Sequence, residues 1–359
     1  MRTCADSIIT SCYATVAAAQ PCGNNALFFD RQLANHVYFS KALSCNTMCC
    51  GSSCADNCCT YNALPGDPHT LECWFMATED YSMVAGLNSV IVGRFNSPCQ
   101  CDQGYAFRHH NYGGSHKLSY VIDHSGCDNS SYIMYPSGTG SINLNQWYHL
   151  AGTFSGGTQK FYVDGVLIGT ETGETLSFGN EFIMGGKRIF VPACQTCAGG
   201  PNNETIDPNC TLSPNYEHRD SFNEGWLDEV RLWSTARTQG SIQLTMSSRL
   251  TGLEANLEAY WSFDQTPSQF VQDVLGVFNG VLGTTDSSAS DDPYWGAPST
   301  LPFLSCIGDF NGDSGVDGSD VESFFDAWEQ GFSSADINCD SGIDGSDAEA
   351  FYDVWEESC

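Results

Sequence analysis

The 359-residue sequence predicts a mostly β chain: a two-sheet sandwich followed by a small helical module. Three observations carry this. Between residues 24 and 304, short apolar runs alternate with turns rich in Gly, Asn, Asp and Ser, and no long helical period intervenes. Aromatic residues make up 12% of the chain and charged residues only 16%, a balance that suits sheets better than helices. Beyond residue 305 the period changes, and apolar side chains recur at helical intervals behind two acidic loops.

In chain order, segments 26–31, 36–40, 70–78, 89–94, 117–122, 147–155, 159–164, 166–170, 182–186, 226–234 and 257–264 read as strands. Their regular spacing predicts two packed sheets. Asp164-Gly165 sits between Lys-Phe-Tyr-Val and Val-Leu-Ile, the turn pair that joins antiparallel strands in a tight hairpin. One short helix is expected around 241–247.

The C-terminal residues repeat one phrase. Asp309-Phe-Asn311-Gly-Asp313-Ser-Gly315-Val-Asp317-Gly-Ser-Asp320 returns 27 residues later as Asp336-Ile-Asn338-Cys-Asp340-Ser-Gly342-Ile-Asp344-Gly-Ser-Asp347. Each copy places side-chain oxygens at positions 1, 3, 5, 9 and 12 and a glycine carbonyl at 7, the ligand schedule of an EF-hand-type calcium loop. The candidate ligands of two Ca2+ ions are therefore Asp309, Asn311, Asp313, Gly315, Asp317 and Asp320, then Asp336, Asn338, Asp340, Gly342, Asp344 and Asp347. Residues 306–359 hold 15 Asp or Glu and no Lys or Arg, half of the net charge of −30. Carboxylates crowded together repel unless a cation sits among them, so this segment is expected to be loose without calcium and folded with it. Val321, Phe324, Phe325 and Trp328 follow the first loop at helical spacing, and Ala348, Phe351, Tyr352 and Trp355 follow the second. A solvated acidic tail lacks such a period. A unit of about fifty residues is small enough to need its metals.

The charge opposes any nucleic-acid surface and any anionic lipid not bridged by divalent ions. No apolar run approaches the ~20 residues that cross a bilayer as a helix. Nineteen cysteines, six of them between Cys45 and Cys59, point to a disulfide framework in an oxidising compartment. A zinc site from Cys194, Cys197, Cys210 and His218 is the competing reading. The odd total leaves at least one thiol free or paired between chains. Residues 1–20, with Arg2 and Ala17-Ala18-Ala19-Gln20, faintly suggest an export signal, although Asp6 interrupts the apolar stretch.

The C-terminal phrase, Asp-x-Asn-x-Asp-x-x-hydrophobe-Asp-x-x-Asp in tandem over residues 307–357, resembles a dockerin. The resemblance implies a cohesin-like receptor or other copies of the chain as partner. It also implies partner-choosing residues at loop positions 10 and 11, here Gly318, Ser319, Gly345 and Ser346, and Cys306 and Cys359 bracket the module. The phrases Thr70-Leu-Glu72-Cys-Trp74-Phe, Trp147-Tyr-His149-Leu-Ala-Gly-Thr-Phe, Gly225-Trp-Leu-Asp228-Glu229-Val-Arg231-Leu-Trp233 and Ala259-Tyr260-Trp261-Ser-Phe263-Asp264 resemble the laminin-G-like branch of the concanavalin A-like jelly rolls. Members often hold a calcium at an early acidic turn, so a further Ca2+ in the jelly roll is conceivable, though Asp30-Arg31-Gln-Leu-Ala-Asn35-His36 departs from that pattern. The expected organisation is a Cys-containing segment 1–23, a jelly roll 24–304 with Cys-rich insertions at 45–62 and 191–221, and a dockerin-like module 305–359. Sequons stand at Asn129, Asn203 and Asn209.

Catalytic signatures are missing. There is no nucleophile elbow, His-Glu-x-x-His pair or phosphate loop. His149 reads as a packed residue. His109, His110, His116 and His124 cluster only in sequence, and Asp228-Glu229 are neighbours expected on opposite faces of a strand. The expectation is a non-enzymatic, extracellular or cell-surface bacterial protein that assembles into a filament, layer or scaffold through its calcium module. The alternative is a lectin-like module that binds polysaccharide and is anchored to a cohesin-type scaffold.

Overall fold

The computed structural model describes residues 25–30, 33, 35–39, 65–78, 88–96, 103–112, 114–123, 130–176, 182–191, 216–220, 224–265, 267–283, 288–296, 308–311, 315–338 and 342–357. In chain order the strands are β1 (Ala26–Phe29), β2 (Val37–Tyr38), β3 (His69–Ala77), β4 (Asn88–Asn96), β5 (Gln103–Tyr112) and β6 (Ser115–Asp123). Then come β7 (Ser130–Tyr135), β8 (Tyr148–Ser155), β9 (Thr158–Val163), β10 (Val166–Thr172), β11 (Phe182–Met184) and β12 (Lys187–Val191). The series ends with β13 (Tyr216–Asp220), β14 (Gly225–Trp233), β15 (Leu257–Trp261), β16 (Phe270–Val271), β17 (Gly280–Leu282) and β18 (Tyr294–Gly296). Helix α1 (Gln239–Thr245) lies between β14 and β15, and α2 (Gly318–Gln330) and α3 (Gly345–Glu357) close the chain.

The strands form the predicted sandwich. One sheet runs β10-β9-β8-β3-β14-β1-β18, with β15 also on β14; the other runs β16-β17-β2-β11-β4-β5-β6-β7. Alternate residues of facing strands meet in one core, including Leu71 and Phe75 of β3, Tyr105 and Phe107 of β5, Leu118 and Tyr120 of β6, Phe161 of β9 and Trp261 of β15. Cys73 sits in this core as a free thiol. The hairpin between β9 and β10 turns at Asp164 (φ 49°) and Gly165 (φ 69°), the doubly left-handed turn its Asp-Gly pair predicts.

All nine residues of β3 are buried, so both of its faces are covered. The outer face receives α1 and its flanks. Trp74 Nε1 donates to the Met246 carbonyl (2.8 Å), and Arg237 Nη1 pairs with Glu72 Oε1 (2.5 Å) while its guanidinium lies 3.9 Å over the Trp233 ring. Thr238 caps α1 by accepting from Ser241 N (3.1 Å).

The structure adds elements to the sequence reading. β5 and β7 were not expected as strands. Insertion 191–221, read as a loop, meets a hairpin in which β12 pairs with β13. The short helix begins two residues earlier than expected.

Candidate functional site

In the C-terminal module the described residues of the two loops make the same hydrogen bonds. In the first loop, Asp320 Oδ1 accepts from Asn311 N (3.0 Å) and Oδ2 from Asp317 N (2.8 Å). In the second, Asp347 Oδ1 accepts from Asn338 N (3.2 Å) and Oδ2 from Asp344 N (2.8 Å). Asp317 Oδ1 accepts from Ser319 N at 2.8 Å and from Ser319 Oγ at 2.7 Å; Asp344 Oδ1 repeats this with Ser346 at 2.9 and 2.7 Å. These bonds cap α2 and α3 and hold the Asp317 and Asp344 carboxyls below the usual carboxylate range. Asn311 Nδ2 and Asn338 Nδ2 each donate to the equivalent serine Oγ at 2.7 Å.

Helix packing relates the copies in the same reciprocal way. Phe324 of α2 and Phe351 of α3 are fully buried and stack with centroids 4.3 Å apart and planes 3° from parallel. Trp328, on the helix after loop 1, donates its indole N–H to the Asp344 carbonyl of loop 2 (3.1 Å). Trp355, on the helix after loop 2, donates to the Asp317 carbonyl of loop 1 (2.9 Å). Each loop is therefore tied at position 9 to the helix that follows the other. Sequence reading identified these tryptophans only as part of an apolar face. The usable signal was their identical offset, nineteen residues past the first Asp of each loop.

The donor set fits a hard cation. Every candidate side chain ligand bears oxygen, which suits Ca2+ rather than a softer metal. Asp320 and Asp347 are fully buried carboxylates in a segment that contains no Lys, Arg or His. Buried charge of one sign requires a compensating charge nearby. Asp313 and Asp340, the position-5 candidates, lie outside the described residues, and among the described residues no three His, Cys, Asp or Glu side chains converge on one point. Gly318, Ser319, Gly345 and Ser346 are all exposed at the first turns of α2 and α3.

In the sandwich, buried charged groups pair with one another. His149 is buried against Trp74, with Nε2 3.4 Å from Glu72 Oε2, and its pKa is lowered by burial. Burial pushes Glu72 upward, but the His149 hydrogen bond and the Arg237 charge hold its carboxyl at about 2. The histidines clustered in sequence divide between the two faces of their sheet. His109 and His116 face each other across β5 and β6 (Nε2 to Nδ1, 3.1 Å), whereas His110 bonds Ser119 Oγ (2.7 Å); His124 lies outside the described residues.

The expectation that Asp228 and Glu229 stand apart is corrected. Glu229 adopts φ 52° within a register shift between Asp228 and Arg231, and its carboxylate is gripped by Arg231 Nη2 (2.6 Å) and the Tyr260 hydroxyl (2.7 Å). Burial first, then the charges of Glu229 and Asp264, raise Asp228 well above its ordinary value. Burial pushes Asp264 up to about 7 even with Arg249 2.6 Å away. At the early turn, Asn35 Oδ1 accepts from Asp30 N (2.8 Å), so Asn35 ties the turn to itself. Cys194, Cys197 and Cys210, like the six cysteines from Cys45 to Cys59, lie outside the described residues, as does the His218 side chain.

Residues 55–196 match the family model of the concanavalin A-like lectin/glucanases superfamily. The sandwich extends past that match, since β1, β2 and β13 to β18 fall outside it. No curated protein matches the chain. Among solved structures, a candidate carbohydrate binding protein from Bacteroides ovatus is 15% identical, with a TM-score of 0.45, over 77% of this chain and 60% of that one. A heptameric SAP-like pentraxin from Limulus polyphemus is 16% identical over 64% of this chain and 84% of that one, with a TM-score of 0.38. Domain 4 of the extracellular GH43 arabinanase AbnA from Geobacillus stearothermophilus, solved with arabinotriose, is 16% identical over 50% and 66%, with a TM-score of 0.30.

Proposed function

We propose that the chain is a secreted, non-catalytic protein that assembles with its own copies, or with a cohesin-like receptor, through a calcium-bound C-terminal module. The observation that carries this reading is the bond-for-bond duplication of the two loops, including the buried position-12 carboxylates Asp320 and Asp347. A solvated tail has no reason to bury two carboxylates in a segment without a cation of its own. On this reading Asp309, Asn311, Asp313, Asp317, Asp320 and the Gly315 carbonyl hold one Ca2+, and their counterparts from Asp336 to Asp347 hold the second. The ions neutralise the module and order its surface, and the exposed Gly318-Ser319 and Gly345-Ser346 pairs face the partner. Assembly is then calcium-dependent by linkage. The buried ion pairs Arg237–Glu72 and Arg231–Glu229 support a scaffold role for the sandwich.

A second reading keeps the same module as an anchor and gives the sandwich a lectin-like role. The match of residues 55–196 to a superfamily that includes lectins favours it. Sedimentation of the full chain in calcium and in EDTA, beside a glycan array, separates the two. Calcium-dependent polymers without glycan binding support the first reading, and glycan binding by a monomer supports the second. Polymers that persist in EDTA overturn the module's part in assembly.

A further inference from the structure

The two loops share one ligand schedule and one hydrogen-bond frame, but their surroundings differ. Loop 2 begins at Asp336, directly after a 3-10 turn at Ser333–Ala335. That turn is seated on the sandwich. Ser333 N donates to the Val274 carbonyl (3.2 Å), and Ser334 Oγ donates to the Thr251 carbonyl (2.5 Å). Phe332 lies over Gly252, where a β-carbon would come within 3.1 Å of its ring, and Leu253 joins the module's apolar core. Asp336 itself lines a small cleft with Arg249 and Asp264 of the sandwich. At the head of loop 1 the contact is internal to the module, since Gly308 packs against Val354 and Trp355 of α3.

We propose that the two calcium loops are unequal and coupled: the sandwich holds the start of loop 2 in place, so loop 2 fills first, and the crossed tryptophans pass that order to loop 1. The inference rests on the calcium reading above. Its physical basis is ordering entropy. A loop whose first ligand residue is already fixed has less freedom to lose when the ion arrives. Trp328 then transmits the effect, because fixing the Asp344 carbonyl fixes the indole that anchors α2, the helix whose first turn supplies Asp317 and Asp320. Trp355 makes the reverse link, as coupling between two binding sites requires.

The test uses the full chain stripped of metal and titrated with Tb3+, followed by tryptophan-sensitised emission, with Ca2+ as competitor. Two phases are expected. The tighter is lost in Asp336→Asn and kept in Asp309→Asn. Ser334→Ala, which removes one seat bond and no ligand, weakens the tighter phase by about fivefold, the scale of one hydrogen bond. Gly252→Val, made on the sandwich side, acts in the same direction, and far-UV spectra confirm that both proteins are folded. Asp336→Asn also weakens the remaining phase, and Trp328→Phe, which cuts the link from loop 2 to α2, removes that effect. Equal affinities in the unaltered chain, or a tighter phase that ignores both seat variants while both loops fill, overturn the inference and leave the calcium reading standing. No Tb3+ or Ca2+ uptake by either loop overturns both.

Discussion

Replacing Phe324 with Ala tests whether the module's core supports its loops. The ring is fully buried, stacks on Phe351 at 4.3 Å, and meets Phe310 of loop 1 edge-on at 5.6 Å and Phe325 at 5.1 Å. Truncating a buried Phe to Ala costs about 3–5 kcal/mol. A metal-free unit of about fifty residues has almost no net stability of its own. The loss therefore has to be met by calcium. Each ion held at about one hundred times its dissociation constant returns about 2.7 kcal/mol, so two ions can refold the variant. Shared between two sites, a loss of about 4 kcal/mol raises the calcium midpoint roughly thirtyfold. Near-UV circular dichroism during a calcium titration reads the burial of Trp328 and Trp355, and the far-UV β signal reports the sandwich. Phe324→Ala should need far more calcium for the first signal and leave the second unchanged. A wild-type midpoint would refute the reasoning.

Two further predictions concern the sandwich. His69 is buried beside Tyr105 and Tyr120, and burial pushes its pKa from 6.5 to about 3. The fold thus favours the neutral ring: its contribution is complete above pH 6.5 and is lost as pH falls toward 3, about 2 kcal/mol between pH 7.5 and 5. Thermal unfolding across that range should show the loss, reduced in His69→Gln; a flat profile in the unaltered protein would count against it. Arg237→Met leaves the buried Glu72 carboxylate without its 2.5 Å partner and should cost about 3–5 kcal/mol, largely recovered when Glu72→Gln is added. Denaturant titration of the two single variants and the double variant decides this, and additive losses would show that the pair does not interact.

The module was the most legible part of the chain because duplication gives two independent readings of one pattern. Its helices start where Asp317 and Asp344 can cap them, and its apolar stripes face each other as their spacing implies. The crossed bonds from Trp328 and Trp355 were hidden, since spacing places a residue on a face but does not identify its acceptor. In the sandwich, β5 escaped notice because its outward residues Arg108 and His110 are also buried, so the polar alternation that marks a half-exposed strand carries no information there. The same strand made His109 and His110 look like a cluster, although a period of two sends them to opposite faces. Bulges are equally silent in sequence: Glu229 takes its unusual backbone angle inside a run that reads as a regular strand. Among the described residues, Cys73 is a free thiol within the core.

The seat of the 3-10 turn on the sandwich has a consequence for the texture of anything the chain builds. A gripping module on a slack tether can meet its partner at many angles, and subunits joined that way make gels or tangled aggregates. Phe332, Ser333 and Ser334 seat the module against the sandwich, so on the proposed assembly reading each subunit presents its contacts at one set angle. Repeating a fixed angle yields a helix, a ring or a lattice rather than a network. Loosening that seat by a single side chain, without touching either end's own surface, would then turn a periodic array into an amorphous one.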